Sequence, residues 1–358
     1  MNNIYIQLID SQSVDASIVL ATVTKSVGST PQKPGSSAIF NLTGLLSGTV
    51  GGGVLEGEVQ KIALKAIKSK ESGYYNFKLD QDISQGEGAI CGGQASILVD
   101  ASPGDHRIVF EQVKQSLINR IPGVMVTKVT RNSNSTVRIQ RYWLTENEDH
   151  KIPGDFGLKI AAEVRQLMLA ENLFECRELN FPVTLEGHDV FFLLEPLFPP
   201  AHLVIAGAGH IGKALSHFGK LLDFEVTVID DRIEYANPAN LPEADHVIND
   251  EIGKVLEKLK KTSDVFVVIV TRGHVNDNKA LKDCIGKGLA YVGMIGSKNK
   301  VTMMKKDFIR HGWATPEEWD KIHAPIGLDI KSQSVQEIAI SIAAQLVLVK
   351  NCKKPPYV

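Results

Sequence analysis

The sequence HLVIAGAGHIGKALSHFGKLLDFEVTVIDD, residues 202–231, decides the fold of the second half of this chain. Residues 202–206 form an apolar run typical of a buried parallel strand, and residues 213–222 carry apolar side chains at helical spacing. The turn between them has G-x-G-x-x-G spacing, with its glycines at Gly207, Gly209 and Gly212. In such a turn the first glycine permits the tight bend, the second lets backbone approach a pyrophosphate, and the third brings helix against strand. The stretch therefore predicts a β-α-β unit of the dinucleotide-binding type.

An acidic residue supports this prediction. Residues 224–229 form the second predicted strand, and Asp230 ends it. This fold places at about that position a carboxylate that accepts hydrogen bonds from a ribose. The pattern indicates a Rossmann-like fold strongly and a bound NAD(P) less strongly, because many such domains bind another phosphate-bearing molecule or none.

Length and composition limit the class of protein. A chain of 358 residues predicts two domains or more, and 43% hydrophobic with 22% charged residues is ordinary for a globular protein. No apolar run approaches the roughly 20 residues that span a bilayer, and the N-terminus lacks the basic and apolar regions of a secretory signal. We therefore expect a cytoplasmic protein with no membrane segment. A net charge of −2 argues against a nucleic-acid partner, and four widely spaced cysteines fit neither a disulfide framework nor a zinc ribbon.

The predicted domain organisation follows from a proline-rich segment. In residues 1–194 predicted helices and strands alternate, so this N-terminal domain is α/β or α+β. Residues 195–200, EPLFPP, resist both helix and central strand and are predicted to be a linker. Residues 201–358 then continue as a doubly wound parallel sheet of the Rossmann-like type. Near its end, Ser334 and Glu337 form a predicted capping box for a long apolar helix.

A triple glycine opens the first long helix of the N-terminal domain. Gly51, Gly52 and Gly53 precede a run with helical periodicity, and bare N–H groups at a helix start can hold a phosphate or carboxylate. The alternative is a flexible turn that lets the helix pack closely on the preceding hairpin. The residues alone leave both readings open.

A second candidate site is the sequence Cys91-Gly92-Gly93, which precedes a predicted strand. A lone cysteine is most often a small buried hydrophobe, but the flanking glycines leave room beside the sulfur, and their amides can lower the thiol pKa. We therefore expect Cys91 to be reachable and reactive. Cys176 and Cys284 are expected to be packing residues.

In the second domain, loops at the carboxyl ends of parallel strands line one crevice. The residues predicted to converge there are His210, Arg272, His274, Ser297 and Lys298. A metal site from His210, His274 and His323 is an alternative, but the spacing is unlike local ligand motifs, so structural or solvent-facing histidines are favoured.

Several motifs carry a family resemblance. They are GSTPQKPGSSAIF, GLLSGTVGGGVLEGEV, ICGGQASILVD, EPLFPPAHLVIAGAGHIG, VIDDR, YVGMIGSKNKV and HAPIGLDIKSQSVQEIAISIAAQLV. In order and spacing the chain resembles the XdhC/CoxI family, the accessory proteins of xanthine dehydrogenase and carbon monoxide dehydrogenase maturation. The resemblance runs from about residue 16 to residue 349, and it is least diagnostic between residues 107 and 186. The family often has an arginine directly after the Ser-x-Pro of the first motif, whereas this chain has Gln32, with Lys33 as the nearest cation.

The resemblance implies a protein that binds molybdenum cofactor, shields it while a cysteine desulfurase helps install the sulfido ligand, and passes it to an apo xanthine dehydrogenase-type molybdoenzyme. By analogy, the glycines of residues 48–53 and the Cys91 loop belong to cofactor handling. A thiolate at Cys91 suits a soft molybdenum ligand or a temporary sulfur acceptor. We expect a homo-oligomer and a maturation factor rather than a catalyst.

The residues also fit two rival functions. An NAD(P)-dependent oxidoreductase would use the glycine turn and Asp230 for its nucleotide and His274 as proton donor beside the nicotinamide. Its weakness is that nothing in the first domain looks like a substrate pocket for hydride transfer. The other rival is a non-catalytic sensor or scaffold that binds a nucleotide in the crevice and docks partners through the N-terminal domain.

Overall fold

The computed structural model of the chain describes residues 3–12, 17–79, 93–131, 137–145, 152, 156–169, 176–181 and 189–351. The chain divides into two compact units, an N-terminal unit of residues 2–199 and a C-terminal unit of residues 200–358. Each unit has its own cores and is described by itself. No helix in the described part of the chain combines the length and the apolar character that crossing a bilayer requires.

The N-terminal unit contains two antiparallel sheets. Its helices are α1 (Ile4–Gln12), α2 (Gly53–Ser69), α3 (Arg107–Ile118) and α4 (Gly157–Leu169). Its strands are β1 (Val19–Val27), β2 (Ser37–Asn41), β3 (Gly44–Gly48), β4 (Gly73–Lys78), β5 (Gln94–Asp100), β6 (Gly123–Arg131), β7 (Val137–Leu144), β8 (Arg177–Phe181) and β9 (Asp189–Leu197). The first sheet has the order β3-β2-β1-β5-β4 and the second the order β7-β6-β9-β8. Between the two readings of the sequence, the structure selects α+β.

Strand β1 shows why both faces of the first sheet are covered. Its alternate residues Val19, Ala21 and Val23 pack in one core with the apolar side of α2. Leu20, on the opposite face, packs in a second core with α1, α3 and residues of β6 and β7. Because successive strand residues point to opposite faces, an unbroken apolar run indicates a strand buried on both sides.

The predicted linker needs a correction, because its first three residues belong to β9. Glu195 pairs with Met125 and Pro196 with Val124 on β6, and Glu195 is buried. β8 pairs with β9 only as far as Leu194, so no strand lies beside Pro196 on that side. A proline, which has no N–H to donate, is therefore tolerated there. The sequence rule that excludes proline from central strands fails here because the proline lies beyond the end of the adjacent strand.

The C-terminal unit is a doubly wound parallel sheet, as predicted. Its strands are β10 (His202–Ala206), β11 (Glu225–Asp230), β12 (His246–Asn249), β13 (Val265–Ile269) and β14 (Tyr291–Met294). Its helices are α5 (His210–Leu221), α6 (Ile252–Lys258), α7 (His274–Cys284), α8 (Lys298–Arg310), α9 (Pro316–Asp320) and α10 (Val335–Asn351). The strand order is β12-β11-β10-β13-β14, and all four neighbouring pairs are parallel. Strands β11 and β12 follow on one side of β10, and β13 and β14 follow on its other side. The topological switch point therefore lies between β10 and β13.

Helices cover both faces of this sheet. On one face Leu203 and Ile205 share a core with side chains of α5 and α10. On the other face Val204 and Ala206 share a core with side chains of α6, α7 and α8. The helix α10 begins with the predicted capping box, in which the Glu337 N–H donates to Ser334 Oγ at 3.3 Å and the Ser334 N–H donates to Glu337 Oε2 at 3.1 Å.

A short segment lies along the outer edge of β14. His323 forms an isolated parallel bridge with Gly293. The His323 N–H donates to the Val292 carbonyl at 2.9 Å, and the Met294 N–H donates to the His323 carbonyl at 3.0 Å. The Ile326 N–H then donates to the Met294 carbonyl at 3.0 Å.

Candidate functional site

In the N-terminal unit, the loop of residues 28–36 after β1, called the first loop, is held by its own side chains. The Ser36 hydroxyl donates to the amide oxygen of Gln32 at 3.0 Å, and the Thr30 hydroxyl donates to the Gln32 carbonyl at 3.0 Å. Gly35, at φ 90°, lies against the Cys176 side chain. Gln32, which stands where the family often has arginine, is therefore engaged within the loop. Lys33 is exposed.

The triple glycine adopts a backbone that other residues rarely adopt. Gly51, Gly52 and Gly53 have φ values of 138°, 65° and 54°. The helix α2 begins at Gly53, with Gly52 as its N-cap. A Cβ built at Gly52 or at Gly53 would meet no atom within 4 Å, so the surroundings of both residues are open.

Two backbone donors at this helix start have no acceptor in the described part of the chain. The Glu56 carboxylate, in the first turn of α2, accepts hydrogen bonds from the Thr49 hydroxyl at 2.8 Å and from the Val50 N–H at 3.3 Å. The Gly51 N–H donates to Thr49 Oγ1 at 3.1 Å. The N–H groups of Gly52 and Gly53 have no hydrogen-bond acceptor among the described residues. At the positive end of a 17-residue helix, these two groups are suited to an anion.

The first loop contacts both glycine clusters. A Cβ at Gly51 would lie 2.8 Å from Cγ of Pro31, and a Cβ at Gly93 would lie 2.4 Å from the carbonyl oxygen of Ser29. Both approaches are closer than a side chain allows. The predicted site residues that lie outside the described part of the chain are Cys91 and Gly92. The structure thus brings Gly51 and Gly93 against one loop, which the sequence spacing did not predict.

The two cysteines that the structure describes are poor nucleophiles. Cys284 is buried, and burial, with a smaller contribution from the charge of Asp283, raises the pKa of its thiol to about 12. Cys176 is half-buried, and burial followed by the charges of Glu195 and Glu178 raises the pKa of its thiol well above the usual value. Both residues pack against neighbours, as the sequence predicted.

In the C-terminal unit, the glycine turn has the predicted geometry. Gly207 has φ 117°, and a Cβ there would lie 2.5 Å from the Val270 carbonyl oxygen. A Cβ at Gly212 would lie 1.9 Å from the Gly207 carbonyl oxygen, so the third glycine sets how closely α5 packs on the turn. Gly209 is the N-cap of α5, with nothing within 4 Å of its Cβ position. Phosphate binding at Gly209 stays a prediction.

The carboxylate of Asp230 is occupied within the protein. It accepts hydrogen bonds from the Ala208 N–H at 2.8 Å and from three donors of Arg232, the N–H at 3.1 Å and Nε and Nη2 at 2.8 Å. Burial alone would raise the pKa of Asp230, but the hydrogen bonds from Arg232 and Ala208 outweigh it and hold the pKa below its ordinary value. Its predicted contact with a ribose stays a prediction, although Asp230 already ties the end of β11 to the glycine turn.

The other predicted crevice residues lie at several places along the carboxyl edge of the sheet, and their convergence on one ligand stays a prediction. His210 lines a cavity of about 530 Å³ formed by α5, the start of α10 and residues 240–243. Arg272 lines a different cleft, of about 110 Å³, beside Asp230. Ser297 is the N-cap of α8 and accepts the Lys300 N–H at 3.3 Å, while Lys298 begins that helix. The backbone of His274 begins α7, and its side chain lies outside the described part of the chain.

The alternative metal site was built on histidines. His323 stacks on Tyr291 with 4.5 Å between ring centroids, and burial lowers the pKa of its imidazole. Within the described ranges, no group of three or more His, Cys, Asp or Glu side chains is arranged to hold a metal ion.

Sequence reasoning missed one buried ion pair at the carboxyl edge of the sheet. Asp277, in the first turn of α7, has no exposed surface and accepts a hydrogen bond from the ammonium of Lys300 on α8. The Thr271 hydroxyl also donates to Asp277 Oδ1, at 2.6 Å. Because the two charges are 23 positions apart and on different helices, no local spacing signals the pair.

Comparison with known families decides the relationship. Residues 13–78 match the family model described as "XdhC and CoxI family", and residues 203–346 match the one described as "XdhC Rossmann domain". Together the two matches cover more than half of the chain. The chain belongs to the XdhC/CoxI family. Membership links it to the accessory proteins of xanthine dehydrogenase, and it confirms the predicted family and fold class.

Three relatives show how far the similarity extends. The YqeB protein of Escherichia coli K12, described as uncharacterized, is 35% identical over 150 residues, 42% of this chain and about a quarter (27%) of that protein. A Bacillus subtilis 168 protein, described as a probable subunit of xanthine dehydrogenase, is 25% identical over 335 residues, 93% of each chain. A crystal structure described as a xanthine dehydrogenase from Bacillus halodurans aligns over 99% of this chain and 98% of that one, with a TM-score of 0.78 and 24% identity. This last likeness shows that the XdhC/CoxI chain shares that fold.

Proposed function

We propose that this XdhC/CoxI protein is an accessory factor that binds molybdenum cofactor and delivers it to an apo xanthine dehydrogenase-type molybdoenzyme. The observation that carries the proposal is the start of α2, where the N–H groups of Gly52 and Gly53 have no acceptor among the described residues and their surroundings are open. The first loop, which packs on Gly51 and Gly93, forms the adjoining wall. The name of the Bacillus subtilis relative supports the class of target enzyme.

The residues fit the phosphate end of the cargo. Molybdopterin carries a phosphate, and a phosphate is bound well by free N–H groups at the positive end of a helix. The Glu56 carboxylate is close by, but its hydrogen bonds from Thr49 and the adjacent N–H hold it at the base of the turn. Lys33, exposed on the first loop, is the cation next in sequence to Gln32, so the proposal assigns it the positive charge that Gln32 does not supply.

The molybdenum end of the cargo calls for a soft ligand. A thiolate is such a ligand, but the raised thiol pKa values of Cys176 and Cys284 keep both protonated near neutral pH. We therefore propose Cys91 as the ligand or temporary sulfur acceptor. It lies two residues before Gly93, which packs on the first loop. The proposal includes a cysteine desulfurase as sulfur source, a cytoplasmic setting and a homo-oligomeric carrier.

A second candidate function uses the C-terminal unit. The glycine turn supports nucleotide binding, either in an NAD(P)-dependent oxidoreductase with His274 as proton donor or in a non-catalytic sensor or scaffold. The oxidoreductase is the weaker proposal, because Asp230 is fully engaged with Arg232 and Ala208. Absorption spectra and phosphate analysis of the purified protein separate these functions, since they distinguish pterin, nicotinamide and no bound molecule.

The sharpest test of the main proposal changes Gly52. In Gly52→Asp the added carboxylate blocks the approach of the phosphate and repels it, so we expect molybdenum cofactor binding to weaken by more than about tenfold in an equilibrium titration. The backbone of Gly52 lies in a region used almost only by glycine, so Gly52→Ala carries the same strain without the charge. We expect Gly52→Ala to retain more affinity than Gly52→Asp.

A control in the C-terminal unit completes the experiment. Gly288 has φ 72° and equally open surroundings, so Gly288→Asp adds the same charge at a similar φ in the other unit. It should bind the cofactor as the unmodified protein does. Equal affinity of Gly52→Asp and the unmodified protein would overturn the proposed phosphate site.

A further inference from the structure

A cavity of about 530 Å³ in the C-terminal unit lies on the outer face of α5. Leu215 and Gly219 face the sheet, because Leu215 shares a core with Leu203 and a Cβ at Gly219 would lie 2.8 Å from the Leu203 side chain. The cavity is on the opposite side of the helix and shares no lining residue with the cleft beside Asp230, so it is separate from the crevice at the glycine turn. Four of its α5 residues recur at the i, i+3, i+4 and i+7 spacing of one helix face and are His210, Lys213, Ala214 and His217.

The size and the walls of this cavity suit an organic molecule. Pockets for small molecules have volumes of about 300–1,000 Å³, and this cavity falls within that range. Ala214, Pro242 and Val335 give its walls apolar surface, which the body of an organic molecule can cover and an inorganic ion cannot. The polar groups of the walls then decide which organic molecule fits.

Lys213 carries a charge that no described carboxylate neutralises. Its ammonium donates to the amide oxygen of Asn240 at 2.9 Å and forms no ion pair with any described residue. Lys220, two turns further along α5 and outside the cavity, binds the two carboxylate oxygens of Asp245 at 2.7 and 2.9 Å. The segment of residues 240–245 thus offers an amide to the lysine inside the cavity and a carboxylate to the lysine outside it. An ammonium has three donors, so Lys213 has donors left for a ligand.

Glu243, the acid that lines the cavity, is already engaged. Nδ1 of His217 lies 2.8 and 2.7 Å from its two carboxylate oxygens. The other ring nitrogen of His217, Nε2, has no hydrogen-bond partner among the described residues. An anion at Lys213 therefore meets a carboxylate that is held by a histidine, and it gains a second ring nitrogen on the same helix face.

Further polar groups line the cavity from both sides. The side chains of His210 on α5 and Gln336 on α10 are exposed, and neither makes a hydrogen bond with a described residue. The N–H groups of Val335 and Gln336, at the start of α10, likewise have no acceptor in the described part of the chain. They add donors to the wall opposite Lys213.

We propose that the cavity on α5 binds a small organic anion, a molecule with a carboxylate or phosphate group and a partly apolar body. Lys213 receives the acidic group, because its ammonium is the charge without a counter-charge. The apolar walls cover the body, and His210 and Gln336 select among ligands by their hydrogen bonds. This site is independent of the molybdenum cofactor site, which lies in the other unit, and of any nucleotide at the glycine turn.

The test follows the histidine ring signals of the full, isotope-labelled chain by NMR during titration with benzoate, phenyl phosphate, benzamide and inorganic phosphate. We expect benzoate, phenyl phosphate or both to shift the signals of His210 and His217, which single His→Gln variants assign. The signal of His311, at the end of α8 and outside the cavity, should not move. Benzamide lacks the charge and inorganic phosphate lacks the body, so both should bind at least about fivefold more weakly. The tighter of the two organic anions identifies the acidic group.

Matched variants connect the binding to the cavity. Lys213→Gln keeps a donor for Asn240 and removes the charge, so the affinity for the organic anions should fall at least about fivefold. Lys220→Gln makes the same change on the same helix outside the cavity and should leave that affinity unchanged. Ala214→Leu fills the cavity with a good helix former and should abolish binding. Unchanged melting temperatures show that the variants are folded.

Three outcomes would overturn the proposal. The first is that neither organic anion shifts the two histidine signals at millimolar concentration. The second is that Lys213→Gln binds the anions as the unmodified protein does. The third is that benzamide binds as tightly as benzoate, or inorganic phosphate as tightly as phenyl phosphate, since either result would remove one half of the recognition.

Discussion

The phenolic hydroxyl of Tyr5 donates a hydrogen bond of 2.8 Å to Glu195 Oε2, joining the N-terminal helix α1 to strand β9 across 190 positions of the sequence. Both side chains are buried. Burial raises the pKa of Glu195 to about 7, although the hydrogen bond from Tyr5 and the charge of Arg141 act in the opposite direction. Glu195 is therefore protonated in the folded protein at pH values where an unfolded chain has released that proton.

This raised pKa predicts that the N-terminal unit loses stability between about pH 4.5 and pH 7. In that window the folded state binds more protons than the unfolded state, so the free energy of unfolding falls as pH rises, by about 3 kcal/mol in total. Glu195→Gln keeps an acceptor for Tyr5 and removes the titration. We expect the variant to be more stable than the unmodified protein at pH 8 and to show a flatter pH dependence.

Urea unfolding followed by hydrogen-exchange mass spectrometry measures the stability of the N-terminal unit at each pH, because it reports residues 2–199 separately from the rest of the chain. At pH 4 the two proteins should unfold at similar urea concentrations. If the free energy of unfolding changed with pH in the same way in both proteins from pH 4 to pH 8, the pKa of Glu195 would not be raised by folding.

The ion pair of Lys300 and Asp277 predicts a large effect of one lysine. Lys300→Met leaves the fully buried Asp277 without its counter-charge, which should cost about 3 kcal/mol of stability in the C-terminal unit. Lys305, on the same helix, pairs with Asp320 at the surface, so Lys305→Met should cost less than about 1 kcal/mol. Urea unfolding of both variants measures the two losses of stability. Equal losses would show that the burial of Asp277 does not make its ion pair more important than a surface pair.

The glycine turn predicts opposite outcomes for two glycines of one motif. Gly212→Ala places a methyl group 1.9 Å from the Gly207 carbonyl oxygen, so α5 must move, at a cost of about 3 kcal/mol or more. Gly209→Ala adds the same group in open space and should cost less than about 1 kcal/mol, mainly through the helix cap. Thermal unfolding distinguishes the variants. A Gly212→Ala protein that melts with the unmodified protein would contradict the close packing of this turn.

The cysteines predict an order of alkylation by iodoacetamide. Cys284, with a buried thiol of raised pKa, should be labelled only after unfolding, and Cys176 should react slowly. Cys91 should react fastest in the native protein and be protected by molybdenum cofactor, while Cys352 should react without protection. Mass-spectrometric mapping with and without cofactor tests the order. Labelling of Cys91 only in the unfolded protein would assign it a packing role.

Local patterns predicted those parts of the chain whose structure has a local cause. The spacing of Gly207, Gly209 and Gly212 predicted the turn because the third glycine packs on the carbonyl of the first within the same β-α-β unit. Ser334 and Glu337 predicted a helix start because a capping box is closed within four residues.

Local patterns could not predict contacts between distant segments of the chain. The helix α1 was not predicted, and the burial of Tyr5 against Glu195 joins the two ends of the N-terminal unit. The spacing located a carboxylate at the end of β11, but only the structure shows that Asp230 is held by hydrogen bonds from Ala208 and Arg232. Likewise, no periodicity connects Gly51 with Gly93, since the residues that join them belong to a third segment, the first loop.

The bridge of His323 to Gly293 limits how copies of this protein can assemble. An open sheet edge recruits strands from other molecules, which leads to edge-to-edge dimers or to aggregation. Along β14 the outward N–H and carbonyl of Met294 and the carbonyl of Val292 are already paired with the segment of residues 323–326. Strand addition at this edge would first have to displace that segment, so β14 is a poor edge for strand-to-strand assembly of copies.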